Sequence, residues 1–241
     1  MDTVAVAIMC KTPIAGECKT RLSPPLTTEE CTELSACFIR DVAHTIDTLV
    51  SDGSVTGYAV YTPLGSEDAL RALLPAGFRL VPQGDGNLGA RLLKGAADLL
   101  AAGHAGAILV NSDSPTLPAS ILRAAVDAVR RGGNVVLGPA LDGGYTLIGM
   151  SEPHAHLFQD IPWSTPEVYR LTLQRAREIA LPVVNVPPWF DIDDAESLRL
   201  LKAELAGRRP RFAEAGLIGA EAPATRRFFA ARTAALASSA S

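Results

Sequence analysis

Apolar and polar positions recur along this chain with two periods, and the two periods take turns. Val4-Ala-Val-Ala-Ile-Met9 is a continuous apolar run, the pattern of a strand covered on both faces. Beyond it Leu34, Phe38, Val42 and Ile46 recur at helical spacing, behind Thr27 or Thr28 as a cap and with Glu29 and Glu30 in the first turn. The same reading predicts further strands at Val55–Tyr61, Phe78–Val81, Ala107–Val110, Asn134–Leu137, Tyr145–Met150 and Pro182–Val186. It predicts helices at Glu67–Leu74, Leu88–Ala102, Ala119–Arg130, Pro166–Ile179 and Ala195–Leu205, with Gly132-Gly133 closing the third of these. Repeated strand–helix units imply a three-layer α/β/α domain around a mostly parallel, mixed sheet. Ligands of such sheets bind beyond the carboxyl ends of the strands, where the loops converge.

The pattern breaks after Gly207, so residues 1–206 are expected to form the α/β unit and 207–241 an extension. Within the extension Thr225–Ala237 is an Ala/Arg-rich helical segment ahead of a Ser-rich tail. It suits a lid or dimer arm over an anion site, or a surface-docked and partly disordered end.

Composition narrows the partners. The 241 residues are 48% hydrophobic and carry a formal net charge of -4, which argues against a generic nucleic-acid binder. The extension holds six Arg against two Glu, so the acidic excess lies in the first 206 residues. An anionic ligand must therefore be met by a few placed cations. No apolar run approaches the roughly 18 residues of a membrane span. Asp2 and the lack of a basic segment argue against an export signal, so a cytoplasmic protein is expected. Cys10, Cys18, Cys31 and Cys37 form no C-x-x-C and are expected to be reduced.

Four segments carry chemistry. Lys11-Thr-Pro-Ile-Ala-Gly-Glu-Cys-Lys-Thr-Arg-Leu22 follows the first strand and offers backbone N–H groups with Lys11, Lys19 and Arg21 to a polyphosphate. It is not a Walker loop, and a solvated basic loop would look the same in isolation. Asp113 follows the apolar strand Ala107–Val110, where a parallel sheet places its active site and where Mg²⁺ would suit phosphates nearby. A cap on the next helix is the competing reading. Asp191-Ile-Asp-Asp194 sets three carboxylates in four residues, a repulsion that a cation or a helix N-terminus must absorb. Asp194 suits the cap, and Asp191 and Asp193 share a face if the segment is extended, so that one of them would complete a metal site with Asp113. Pro139-Ala-Leu-Asp-Gly-Gly-Tyr145 is either a close backbone approach to a ligand or a hairpin turn. Weaker signals are the pair His154-x-His156, better read as a surface pair than as metal ligands, the thiol of Cys18, and Trp163-Ser-Thr-Pro166. Trp163 would close an acceptor pocket or pack on the sheet, and Thr165 would cap the next helix.

The loop K-T-P-x-x-G-x-x-K-T-R-L, the N-S-D-S-P-T-L turn, G-P-A-x-D-G-G-Y and W-F-D-I-D-D-A-E-S-L resemble the radical-SAM/selenodomain-associated transferase family over about residues 3–206. That family belongs to the GT-A-type nucleotide-diphospho-sugar transferase superfamily. The first motif, with L-S-P-P-L-T-x-x-E behind it, also resembles the 2-phospholactate guanylyltransferases. The resemblance implies that Gly16, Lys19 and Arg21 wrap a triphosphate, with Lys11 assisting. It implies that Asp113 and Asp193 hold Mg²⁺ or Mn²⁺, that Gln83, Gly86 and Asn87 line the base and ribose pocket, and that Asp142, Gly143 and Gly144 face the acceptor. The loop departs from the tighter G-x-G-T-R of sugar nucleotidyltransferases in having one Gly, and Asn111 stands where a D-x-D pair would have its first Asp.

The expected activity is nucleotidyl transfer from an NTP to a small phosphorylated or hydroxyl acceptor, with Lys19, Arg21 and Asp113 as the catalytic residues and pyrophosphate as leaving group. The alternative is glycosyl transfer from a nucleotide-sugar, with Asp142 as an acceptor-side base. A non-catalytic nucleotide-binding module is the third reading, and it would predict loss of the carboxylates that are present. The partners expected are a nucleotide and a small acceptor, without nucleic acid or membrane span, and a homodimer is left open.

Overall fold

Seven strands form one sheet in a computed structural model that describes residues 3–51 and 53–239. Asp2, used above in reading the N-terminus, lies outside the described residues. In chain order the elements are β1 (Val4–Lys11), α1 (Thr28–Val50), β2 (Val55–Thr62), α2 (Glu67–Arg71), β3 (Arg79–Pro82), α3 (Leu88–Ala101), β4 (Gly106–Asn111), α4 (Ala119–Arg130), β5 (Val135–Pro139), β6 (Tyr145–Met150), α5 (Val168–Glu178), β7 (Val183–Asn185), α6 (Ala195–Leu205) and α7 (Pro223–Ser239). Among the described residues, no helix is long and apolar enough to cross a membrane.

The strand order is β3-β2-β1-β4-β6-β5-β7. β1 pairs in parallel with β2 from Val4↔Val55 to Lys11↔Thr62 and with β4 from Val4↔Gly106 to Met9↔Asn111. β6 alone is inverted, antiparallel to both β4 and β5, while β7 returns parallel to β5. The segment 139–145 is thus the turn of a β5–β6 hairpin, closed by Ala140 N–H donating to Gly144 O at 3.0 Å.

The two-residue side-chain period of β1 sorts the core into layers. Val4, Val6, Ile8 and Cys10 face one side with Phe38, Val42 and Ile46 of α1, Ile121 and Leu122 of α4, and Leu198 and Leu201 of α6. Ala5, Ala7 and Met9 face the other with Leu92, Ala96 and Leu99 of α3 and Ala176 of α5. This is the three-layer α/β/α arrangement expected. Thr27 rather than Thr28 caps α1, in a reciprocal box in which Glu30 N–H donates to Thr27 Oγ1 and Thr27 N–H to Glu30 Oε2.

Most element ends fall within two residues of expectation. α2 stops at Arg71, and α5 begins at Val168 instead of Pro166. Ahead of α5, Ser164 has φ +65 and the Thr165 hydroxyl donates to Pro162 O at 2.7 Å, a local turn that competes with helix. Thr165 thus holds a turn, its Oγ1 also accepting from Glu167 N–H at 3.4 Å, while the N-cap residue of α5 is Glu167, whose own side chain makes no cap bond. The Ala/Arg-rich segment is the helix α7, and it packs on α1 through Phe228.

Candidate active site

The loops after β1, β4 and the β5–β6 hairpin, with the segment before α6, enclose a cleft of about 690 Å³ beyond the carboxyl ends of the parallel strands. That volume falls within the usual range of small-molecule sites. Its wall includes Lys11, Lys19, Arg21, Asn111, Asp113, Asp142, Gly144, Tyr145, Trp163, Asp191 and Asp193.

The loop after β1 is shaped by its own backbone. A turn over residues 14–17 is closed by Glu17 N–H donating to Ile14 O, and the 3₁₀ turn Thr20–Leu22 buries Leu22 completely. Between them Lys19 takes the left-handed conformation, φ 49 and ψ 37, which turns its side chain inward. The ammonium reaches Asp113 Oδ2 at 2.9 Å, Asp193 Oδ1 at 2.8 Å and Ile192 O at 2.6 Å, and the side chain is only 8% exposed. Burial opposes the charge, but Asp113 and Asp193 outweigh it and hold the lysine pKa above its ordinary range. Lys11 pairs with Glu17 in solvent, and Arg21 is exposed in the cleft wall.

Asp113 does not cap α4, which begins at Ala119 without a side-chain cap bond. Its backbone carbonyl accepts from Ile192 N–H at 3.0 Å, tying the β4 loop to the late acidic segment. In that segment Ile192 is fully buried, and Asp191 and Asp193 flank it on the cleft side. Asp194 caps α6, accepting from Glu196 and Ser197 N–H at 3.0 and 2.8 Å. Ligand oxygens of Asp142, Asp191 and Asp193 lie within 4.8 Å of one another. Burial, and then Asp142, Asp193 and Asp113 in turn, push the Asp191 carboxyl up to about 7. Asp142 was expected on the acceptor side and stands within this carboxylate group. Asp191 joins it beside Asp193.

The other expected residues divide. Gly144 lines the cleft, and its N–H donates to Asp142 Oδ1 at 2.8 Å. Gly143, at φ +89, lies so close to the turn ahead of α5 that a Cβ would come within 2.2 Å of Pro166 O, so the glycine is required for packing. Gly16 shapes the turn at φ +80 without lining the cleft. Gln83 is buried, and its amide N–H groups donate to Cys10 O and Val60 O at 3.0 and 3.1 Å, crosslinking the strand ends. Asn87 caps α3 by accepting from Ala90 N–H, and Arg91 donates to Gly86 O. Gln83, Gly86 and Asn87 are outside the cleft wall. The His154/His156 pair flanks the start of a 3₁₀ turn, with His156 held by Gln159 and Glu178. All four cysteines are buried free thiols, and burial pushes Cys10 up to about 12 and Cys37 to about 11.

Trp163, expected either to close an acceptor pocket or to pack on the sheet, and Asn111, noted in the D-x-D position, both line the cleft, and what the sequence did not show is that Asn111 Oδ1 and Trp163 Nε1 are buried without a hydrogen-bond partner among the described residues. Sequence reasoning also missed the bridge made by Lys19. The signal for that bridge was present only as opposite charges far apart in the chain.

The strand order, the single inverted strand and the cleft at the strand ends define a nucleotide-diphospho-sugar transferase fold of GT-A type. It is shared with a protein from Desulfovibrio desulfuricans G20 named as a candidate nucleotide-diphospho-sugar transferase, 24% identical over 95% of this chain and 96% of that one, with a TM-score of 0.80. A CMP:2-keto-3-deoxy-manno-octonic acid synthetase in complex with CTP matches at TM-score 0.53 and 11% identity, over 86% of this chain and 100% of that one. A 4-diphosphocytidyl-2C-methyl-D-erythritol synthase matches at 0.52 and 12%, over 84% and 97%. No curated protein matches the sequence. Residues 45–165, half of the chain, match the family described as "Uncharacterized protein conserved in bacteria (DUF2064)", and the chain belongs to that family.

Proposed function

We propose that this protein is a divalent-cation-dependent transferase acting on a nucleotide-activated donor, and that it moves a nucleoside monophosphate from an NTP to a small acceptor. One observation carries the reading: the cationic loop after β1 and the carboxylates Asp113, Asp142, Asp191 and Asp193 meet across a single cleft at the strand ends. The fold shared with a CTP-bound synthetase supports the same donor, as does the resemblance of the loop after β1 to that of the 2-phospholactate guanylyltransferases.

Mg²⁺ or Mn²⁺ fits the donor set. The ligands are hard carboxylate oxygens, and their crowding lifts Asp191 to about 7, a repulsion that a divalent cation relieves. Asp193, Asp191 and Asp142 would hold it, with Asp113 adjoining. When bound, such an ion supplies neutralisation of charge on the phosphoryl oxygens. The chain does the positioning. Arg21 offers a fork and Lys11 a point charge to the phosphates, and Lys19 reaches them once released from Asp113 and Asp193. An acceptor oxygen forms the new bond to the α-phosphorus as the bond from that phosphorus to the bridging oxygen breaks. Pyrophosphate leaves with the electron pair, and any acceptor proton passes to solvent. Such chemistry asks mainly for positioning and charge stabilisation.

Thermal shift with Mg²⁺ and each NTP or nucleotide-sugar, followed by product analysis, tests the reading. Stabilisation by an NTP and release of pyrophosphate are expected. Release of a nucleoside diphosphate would establish glycosyl transfer instead, the reading supported by the place of Asp142 among the carboxylates. Asp193→Asn should abolish the metal-dependent part of the nucleotide shift, and an unchanged shift would overturn the site assignment.

A further inference from the structure

Three segments meet at the Lys19 bridge. The loop after β1 supplies the ammonium, the loop after β4 supplies Asp113, and the segment before α6 supplies Asp193. The stretch 207–239 bonds to all three. Arg232 of α7 donates to Pro25 O at 2.8 Å and to Glu30 Oε1 at 2.7 Å, where the first loop runs into α1. Ala220 N–H donates at 2.9 Å to the carbonyl of Thr116, which follows Asp113 in the loop after β4. Arg226 donates to Leu205 O at the end of α6, the helix whose cap, Asp194, directly follows Asp193. Among the described residues, none from 207 to 239 lines the cleft, so this stretch reaches the site through the segments that carry it.

We propose that the stretch 207–239 is a strap that sets the geometry of the site, with Arg232 as a positioning residue for the loop after β1. Held at Pro25 and Glu30, that loop keeps Lys19 in its turn and presents Lys19 and Arg21 together to a polyphosphate. The polyphosphate part rests on the transferase reading above. Lys19 sits in the left-handed region, φ 49 and ψ 37, a conformation that a lysine keeps only where its surroundings enforce it. A short run of backbone bonds leads from the strap to that residue. Leu26, next to Pro25, donates to Leu22 O at 3.0 Å, and Leu22 N–H donates to Lys19 O at 2.9 Å. Phe228 of α7 belongs to the same buried cluster as Leu22 and Leu26. The Arg232 and Glu30 side chains are only 20% and 26% exposed, so water weakens their charge-assisted bond less than it would on an open surface. Once released, the loop gains conformations in which Lys19 relaxes. Apparent affinity for a polyphosphate then falls with the fraction of chains that keep the ordered loop.

Hydrogen exchange and calorimetry on full-chain Arg232→Ala test the two parts separately. The amides of Leu22 and Leu26 should exchange about tenfold or more faster than in the parent, while those of β4 keep the parent rate. Inorganic triphosphate with Mg²⁺ is the probe for the cationic loop, and it should bind about three- to tenfold more weakly. Arg232→Lys, whose single ammonium replaces a fork serving two acceptors, should fall between the parent and the alanine variant in both measurements. Unchanged exchange at Leu22 and Leu26 would overturn the strap. So would a uniform rise that includes β4, which would make Arg232 a contributor to global stability alone. Faster local exchange with triphosphate affinity within about twofold of the parent would overturn the positioning role. Triphosphate binding by the parent is read first. Its absence would overturn the transferase reading instead, and exchange alone would then decide the strap.

Discussion

An ammonium shared by two carboxylates is worth most where water is scarce, and Lys19 has that position between Asp113 and Asp193. Replacing it by methionine keeps the stem and removes the charge, leaving two acidic groups facing each other. Because the carboxylates are themselves partly exposed, the expected loss is moderate, about 1–3 kcal/mol. Lys19→Met should melt below the parent protein in chelator, and millimolar Mg²⁺ should restore the variant by more than it stabilises the parent. Equal melting in chelator would show that the bridge contributes nothing. Residue types were legible in the sequence: a basic loop, a strand-end Asp and a late acidic segment were each visible from local spacing. Partners were not. Lys19 and Asp193 are 174 positions apart, and nothing local tells a lysine that it will bond a carboxylate before it bonds a phosphate. Gln83 failed for the same reason. Its amide is occupied by carbonyls of β1 and β2, which only the sheet brings near.

At the scale of elements, α7 resolves what local pattern left open. Its Ala- and Arg-rich sequence has no clear apolar stripe, so periodicity alone gives it no face to dock. The structure docks it through Asp41, a buried residue of α1 that accepts from Ala224 N–H and Thr225 N–H at 2.8 Å each and from the Thr225 hydroxyl at 2.6 Å. A cap is normally supplied by the helix's own chain neighbour, whereas this one comes from another helix. Arg232 completes the attachment, bonding Glu30 at 2.7 Å and Pro25 O at 2.8 Å, so the basic end of the chain braces the segment that leads from the loop after β1 into α1. Asp41→Ala should cost about 3 kcal/mol, since it strands two buried N–H donors that were bonded to a charge, and should expose α7 to limited proteolysis ahead of global unfolding. Unchanged protection of α7 in the variant would refute the clasp. By contrast α4, β6 and α6 were legible to the residue, because a Gly pair, a hairpin turn and an Asp cap are signals written where the element begins or ends.

Across the whole molecule the layers followed from the alternation of strand and helix, while the inverted place of β6 between β4 and β5 did not, because pairing partners are set by packing rather than by local pattern. Stability has a whole-molecule signature too. Burial pushes the Glu204 carboxyl of α6 from 4.5 up to about 7, against smaller opposing effects of Thr116 and Arg226, and its Oε2 has no partner among the described residues. Between about pH 4.5 and 7 the folded chain therefore holds a proton that the unfolded chain has released, so this group lowers stability as pH rises through that window and adds no further slope above it. Glu204→Gln should flatten that decline and melt higher than the parent at pH 8 but not at pH 4. A parallel offset at both pH values would assign the effect to packing instead.

The Lys19 bridge has a consequence for how ligands arrive. Because the chain furnishes its own counter-ion to Asp113 and Asp193, binding in the cleft is an exchange of partners and not the filling of an open site. On the proposed reading, phosphates that drew Lys19 away would vacate carboxylates for a divalent cation, and a cation that took the carboxylates would free Lys19 for phosphates. Each therefore raises the affinity of the other by the same factor, as reciprocal linkage requires. On the proposed transferase reading, the metal–nucleotide complex would therefore bind more tightly than its components taken separately.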